Sequence, residues 1–221
     1  MTLQQRWRTV GASCPARSSG KVVSVLSETE VEERVVLVDE RGNAIGEQAK
    51  SAVHHARTPL HLAFSLYLFD TAGRLLMTRR ALGKVTWPGV WTNSCCGHPA
   101  PGESMVDAVD RRLAQETGLR VTGLQEVLPD FSYRVQDVSG IWENEICPVF
   151  FGMVDPDPAT GATLAANPDE VMDWTWVRWP DLVQSVAAAP FAFSPWAVLQ
   201  VGQLAARGMS APSGVIAEGA R

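Results

Sequence analysis

The stretch from Gly97 to Leu119 constrains this chain most, because a turn-rich loop there must run directly into one amphipathic helix. Ser104 is placed to cap that helix, with Asp107 as an acidic capping-box partner. Met105, Val109 and Leu113 recur at every fourth residue and predict one apolar stripe against a core. Gly118 is placed to end the helix in the left-handed conformation. Arg112 and Glu116 then share a face, one turn apart. Just upstream, Trp87 to Glu103 gathers tryptophans, the adjacent Cys95 and Cys96, and His98 among turn formers. A solvent loop does not need that mixture. A small dry pocket with a thiol and a metal ligand does.

The flanking segments read mostly as strands. Arg34–Asp39 and Ala44–Gln48 make a hairpin about the turn Glu40–Asn43. His61–Asp70 is a near-continuous apolar strand, and Arg74–Arg80 pairs back after Thr71–Gly73, sending Arg79, Arg80 and Lys84 towards the cysteine-bearing stretch. Gln125–Gln136 reads as a strand broken at Pro129. Ile141–Val154 reads as one long strand, whose alternation sets Glu143, Glu145 and Cys147 on one face. Another strand ends at Trp174–Val177, and helices follow over Trp179–Ala188 and from Phe193 to about Ala206. The expectation is one α/β (α+β) domain over residues 31–206, with helices around a single mixed sheet. Residues 1–30 are expected to form a flexible extension with a short helix near Ser27–Glu33, and residues 207–221 a disordered tail.

Composition removes several classes. A net charge of -5 gives no nucleic-acid footprint. No apolar run is long enough for a membrane span, and Met1–Gly20 lacks the apolar region of a signal peptide, which favours the cytoplasm. Two of the four cysteines are adjacent, which suits reduced thiols better than a disulfide framework. The eight tryptophans are enough to fill a core, yet several stand beside reactive polar residues.

Four constellations carry chemistry. Gly97, Glu103, Arg111, Leu113, Glu116, Gly118 and Leu119 match the spacing of the Nudix box, whereas Arg112 and Gln115 depart from it. Only Glu116 remains of the glutamates that gather Mg²⁺ in Nudix hydrolases, so the fold signal is strong and the hydrolase signal weak. His54, His61, His98, Glu143 and Glu145 form a dispersed set suited to Mn²⁺, Zn²⁺ or Fe²⁺, with His55 an equal alternative to His54. Cys95 and Cys96 face opposite ways, so at most one addresses a given pocket and the other is a small core residue. Lys50, Arg80, Lys84 and Arg112 would make a diphosphate site wherever they meet.

These residues and their surroundings resemble the type 1 isopentenyl-diphosphate delta-isomerases. The resemblance is carried by His61–Ser65, Thr78–Leu82, Trp87–Ser94, Cys96–Pro99, Tyr133–Arg134, Glu143–Glu145, Cys147–Phe150, Asp169–Asp173 and Phe193–Trp196, over about residues 34 to 205. It implies a Nudix-like fold and a proton shift between isopentenyl and dimethylallyl diphosphates. It also implies Cys96 and Glu145 as the catalytic pair with Tyr133 beside them, and a metal on His54, His61, His98, Glu143 and Glu145. A Mg²⁺ carried with the diphosphate would involve Glu116. Lys50, Arg80, Lys84 and Arg112 would hold the phosphates, and Trp196 would face the reacting carbons. The resident metal would be Mn²⁺ or Zn²⁺, the partner a small-molecule diphosphate, and the protein a monomer.

Overall fold

The computed structural model describes residues 32–155 and 164–212. The expected extension, Cys14 and most of the tail lie outside the described residues, as does the expected helix near Ser27–Glu33 except for Glu32 and Glu33, which are not helical. Within the described chain the elements run β1 (Arg34–Val38), β2 (Ala44–Ala49), α1 (Lys50–Val53), β3 (His61–Leu62), β4 (Phe64–Phe69), β5 (Arg74–Arg80), β6 (Trp91–Thr92) and β7 (Cys95–Gly97). They continue with α2 (Met105–Thr117), β8 (Val121–Leu128), β9 (Ser132–Gln136), β10 (Trp142–Ile146), β11 (Val149–Val154), β12 (Val171–Arg178), α3 (Trp179–Ala188) and α4 (Pro195–Ala206).

The strands form two sheets rather than the single sheet expected. One is ordered β2-β1-β3-β10-β9, the other β12-β5-β4-β11-β8, with β6 on β5 and β7 on β4. The expected long strand Ile141–Val154 is two strands, β10 and β11, one in each sheet. Pro148 has no N–H for a ladder, so pairing stops at Cys147–Pro148. The parallel neighbour breaks at the same level: β3 pairs with β10 at His61 and Glu145, and β4 pairs with β11 at Ser65 and Val149. Backbone bonds stitch the joint, Ala63 N to Ile146 O at 2.9 Å and Ser65 N to Pro148 O at 3.0 Å. The Gln125–Gln136 strand is likewise two, β8 and β9, separated at Pro129. Three strands thus change sheet within one narrow band, which brings His61, Tyr133 and Glu145 together.

β4 is buried along its whole length. Its alternate residues serve opposite faces. Phe64, Leu66 and Leu68 pack in one core with Val109 and Leu113 of α2. Tyr67 and Phe69 pack in the other with Trp179, Leu182 and Leu204 of α3 and α4. Val109 and Leu113 are fully buried, worth about 1.5–3 kcal/mol each. Ser104 and Gly118 cap α2 as expected: Ser104 accepts from Asp107 N at 3.2 Å, and Gly118, at φ 72°, donates to Ala114 O at 2.9 Å, whereas the Asp107 carboxylate accepts from the Ser104 hydroxyl at 2.6 Å rather than from the backbone N–H of a capping box. Gly97 is needed for close approach, since a Cβ there would meet Arg112 Cγ at 2.8 Å and the Phe64 ring at 3.0 Å.

Candidate active site

Three imidazoles and one carboxylate converge at the joint between the sheets. His61 comes from β3, His98 from the loop after β7, Glu145 from β10, and His54 from the end of the one-turn helix α1. One ligand atom from each lies within 4.8 Å of all the others. His61 Nε2 is 3.2 Å from His98 Nε2, and Glu145 Oε1 lies 3.4 Å from the first and 3.2 Å from the second. Ligands about 2.0–2.1 Å from a divalent ion stand roughly 2.8–3.4 Å apart along the edge of an octahedron or tetrahedron. The residues therefore fit a divalent metal. His61 Nδ1 lies 3.0 Å from Pro59 O, which fixes the ring with Nε2 inward. The buried Nε2 of His54 has no well-directed hydrogen bond, although Glu143 Oε2 is 2.9 Å away. His55 is exposed, so the choice left open between the two histidines goes to His54 for position. Glu143 stands beside His54 Nε2, and its Oε1 accepts from Thr86 Oγ1 at 2.5 Å.

Electrostatics follow from this packing. Burial opposes a charge on His54, but the Glu143 and Glu145 carboxylates raise it to about 9. Burial pushes His98 down to about 4. Burial alone would raise Glu145, but the imidazoles of His54, His61 and His98 hold it well below the usual carboxylate range. Tyr133 donates to the second oxygen, Glu145 Oε2, at 2.8 Å, and burial lifts its own hydroxyl well above the ordinary value.

The thiol lies on β7. Cys95 is buried and packs in the core with Val109 and Leu113, whereas Cys96 is partly exposed and packs against the opposite core. The opposite-face expectation holds. Cys96 Sγ donates to Asn93 Oδ1 at 3.1 Å and lies 3.3 Å from Ser65 Oγ, and burial pushes it up to about 12. Trp196 donates from Nε1 to the same Asn93 oxygen at 3.2 Å. Its ring packs 5.8 Å from Tyr133 and edge-on to Trp87 at 5.6 Å, with the Arg80 guanidinium 5.2 Å above its centroid. Trp87 has φ 43°, a conformation a bulky residue adopts only where its surroundings hold it.

The cations are held by acids. Lys50 pairs with Glu33 at 2.5 Å and Lys84 with Glu170 at 2.5 Å. Arg112 pairs with Glu116, and reaches Glu170 at 3.2 Å and Glu33 at 3.6 Å. Lys50, Lys84, Arg112 and Glu116 therefore form one network. Arg80 belongs to the aromatic group instead, donating to the Thr86 and Trp87 carbonyls.

A NUDIX domain model matches residues 59–197. The chain is 53% identical over 174 residues to the isopentenyl-diphosphate Delta-isomerase of Frankia alni, covering 78% of this chain and 86% of that protein. It belongs to the isopentenyl-diphosphate Delta-isomerase family, within the Nudix fold. Its relative of the same name from Agromyces mediolanus is 57% identical over 168 residues, 76% of this chain and 79% of that one. The one from Mycolicibacterium vanbaalenii is 51% identical over 188 residues, 83% and 98%. At the level of fold, a crystal structure from Deinococcus radiodurans matches with a TM-score of 0.58 and 21% identity, over 77% of this chain and 98% of that one. A MutT protein from Methanosarcina mazei matches at 0.53 and 17%, over 68% and 96%. Among the described residues no helix is long and apolar enough to cross a membrane.

Reading residues one at a time did not single out Asn93, Thr86, Ser65, Glu33 or Glu170. Ser65, Asn93 and Glu170 lie inside motifs that carry the resemblance, but nothing local marks a buried hydroxyl or amide or an acid as part of a site.

Proposed function

We propose that this chain interconverts isopentenyl and dimethylallyl diphosphates in isoprenoid biosynthesis, moving one proton on and another off through a carbocation-like state. One observation carries the reading: a thiol and a carboxylate are linked around a single indole. Cys96 and Trp196 share the Asn93 oxygen, and Trp196 stacks near Tyr133, whose hydroxyl holds Glu145. Cys96 and Glu145 can each carry a proton, so one can give a proton to the substrate while the other takes one. A proton shift needs that complement, and return of one proton between the two groups after the product leaves restores the starting state.

Trp196 faces the cation-like carbon and stabilises it by about 1–2 kcal/mol in a dry site. Tyr133, Trp87 and Trp196 exclude the water that would convert that cation to an alcohol. Lys50, Arg80, Lys84 and Arg112 bind the diphosphate, the first, third and fourth by exchanging Glu33 and Glu170 for phosphate oxygens. Glu116 would hold a Mg²⁺ carried with the diphosphate. His54, His61, His98, Glu143 and Glu145 would hold a resident Mn²⁺ or Zn²⁺, whose charge would fix the Glu145 carboxyl group and make it more acidic. The free thiols Cys95, Cys96 and Cys147 agree with a cytoplasmic enzyme, and we take it to act as a monomer.

The test is to incubate purified protein with isopentenyl diphosphate and divalent metal. Dimethylallyl diphosphate is the expected product. Phosphate release without it would replace this reading with a Nudix hydrolase.

A further inference from the structure

We propose that Asn93 is a positioning residue that fixes the Cys96 thiol and the Trp196 indole relative to one another, an assignment that rests on the isomerase reading. Asn93 is fully buried between β6 and β7. Its Nδ2 donates to Leu66 O at 3.1 Å and Cys95 O at 2.8 Å, carbonyls of two paired strands. Its Oδ1 accepts from Thr92 Oγ1 at 2.9 Å, Cys96 Sγ at 3.1 Å and Trp196 Nε1 at 3.2 Å. The amide has one possible orientation, because a flip would set its NH₂ against those donors and its oxygen against two carbonyls. The sheet therefore fixes the plane of the amide, and the amide fixes the oxygen.

Neither functional side chain is fixed by its own element alone. A thiol is a weak donor that rotates freely about its Cα–Cβ bond unless held. Here Sγ is held from two sides, by Asn93 and by Ser65 Oγ at 3.3 Å. Ser65 is itself held by Gln200 Nε2 at 2.9 Å, and Gln200 Oε1 accepts from Tyr67 at 3.0 Å. On the other side, Thr92 lies 2.8 Å from Ser194 Oγ, the residue that precedes α4 and its Trp196. Asn93 thus joins the strand that carries the thiol to the helix that carries the indole. An apolar residue of the same shape would fill the space, but would leave both donors without their shared acceptor.

The experiment compares Asn93→Ala with wild type by steady-state kinetics on isopentenyl diphosphate and by resonance Raman of the indole N–H marker band. A positioning role predicts kcat lower on the order of 100-fold, as small misplacements of reacting groups produce. KM should stay within about threefold, because the phosphate-binding side chains are untouched. The marker band should shift to that of a weaker hydrogen bond. A folded Asn93→Ala with kcat unchanged, or with KM and kcat lost together, overturns the proposal. Should this variant fail to fold, Trp196 is replaced by 3-benzothienylalanine, which keeps the ring face and loses only the N–H. Lower kcat at constant KM then supports the proposal, and unchanged kcat overturns it. Wild type that yields no dimethylallyl diphosphate defeats the isomerase reading instead. In that case the Raman band alone decides whether Asn93 holds the indole.

Discussion

Arg111 grips the Glu103 carboxylate with parallel bonds, Nε to Oε1 at 2.6 Å and Nη2 to Oε2 at 2.7 Å, and Nη2 also reaches His98 O at 3.2 Å. Box residues that match a hydrolase pattern here brace the loop bearing a candidate metal ligand. The Arg111 bonds hold Glu103 below its ordinary 4.5. A depressed carboxylate contributes stability that is present above the unfolded value and lost as pH falls through the folded one. Glu103→Gln should therefore cost about 2 kcal/mol at neutral pH. In chelator, denaturant titrations should show the gap from wild type closing below about pH 4.5. A gap that stays constant down to acid pH would refute the role given to the pair.

The α2 helix was legible because its information is local: cap, stripe and terminator lie within one segment. Glu143 and Glu145 were legible from alternation alone, and both are buried. The sheet change was not. Ala63 sits in an apolar run with nothing to mark a break, and Pro148 was a usable signal, since proline rarely continues a central strand. Asn93 could not be read, because its meaning comes from Leu66 and Trp196, both far away in sequence. The clustering of His54, His61 and His98 followed from the resemblance, whereas their spacing left His55 as good a choice as His54.

Cys96→Ala should lower isomerisation by about 1,000-fold or more, on the scale of lost acid–base catalysis. Cys95→Ala should keep most activity, because that thiol packs in the core against α2, whereas Cys96 packs against the opposite core. It should instead cost about 1 kcal/mol in stability. Paired turnover and melting measurements on the two variants check this, and the opposite pattern would move the role to Cys95.

Arg112 stands where the Nudix pattern has a glutamate, and its buried guanidinium neutralises Glu116 and Glu170. Arg112→Leu should destabilise the fold by about 3 kcal/mol, since a buried acid loses its partner. Adding Glu116→Leu should recover most of that loss, because an apolar pair replaces an ionic one. Activity should not return, as the phosphate and Mg²⁺ contacts proposed for these two residues are both gone. Recovery of turnover in the double variant would show that neither residue binds the diphosphate.

His54 in the metal-free protein is raised from 6.5 to about 9, against the cost of burial, by Glu143 and Glu145. The sign of its linkage follows: protonated His54 contributes stability fully present below 6.5 and lost as pH rises through about 9. A metal needs the neutral imidazole, so an ion must displace that proton. Melting of the chelated protein should therefore fall in temperature between pH 6.5 and 9, while the rise produced by added Mn²⁺ or Zn²⁺ should grow over the same range. His61→Ala should abolish the rise, because His61 Nε2 stands within 3.4 Å of both His98 Nε2 and Glu145 Oε1. A metal-induced shift independent of pH would remove His54 from the ligand set, and one that survives His61→Ala would put the ion elsewhere.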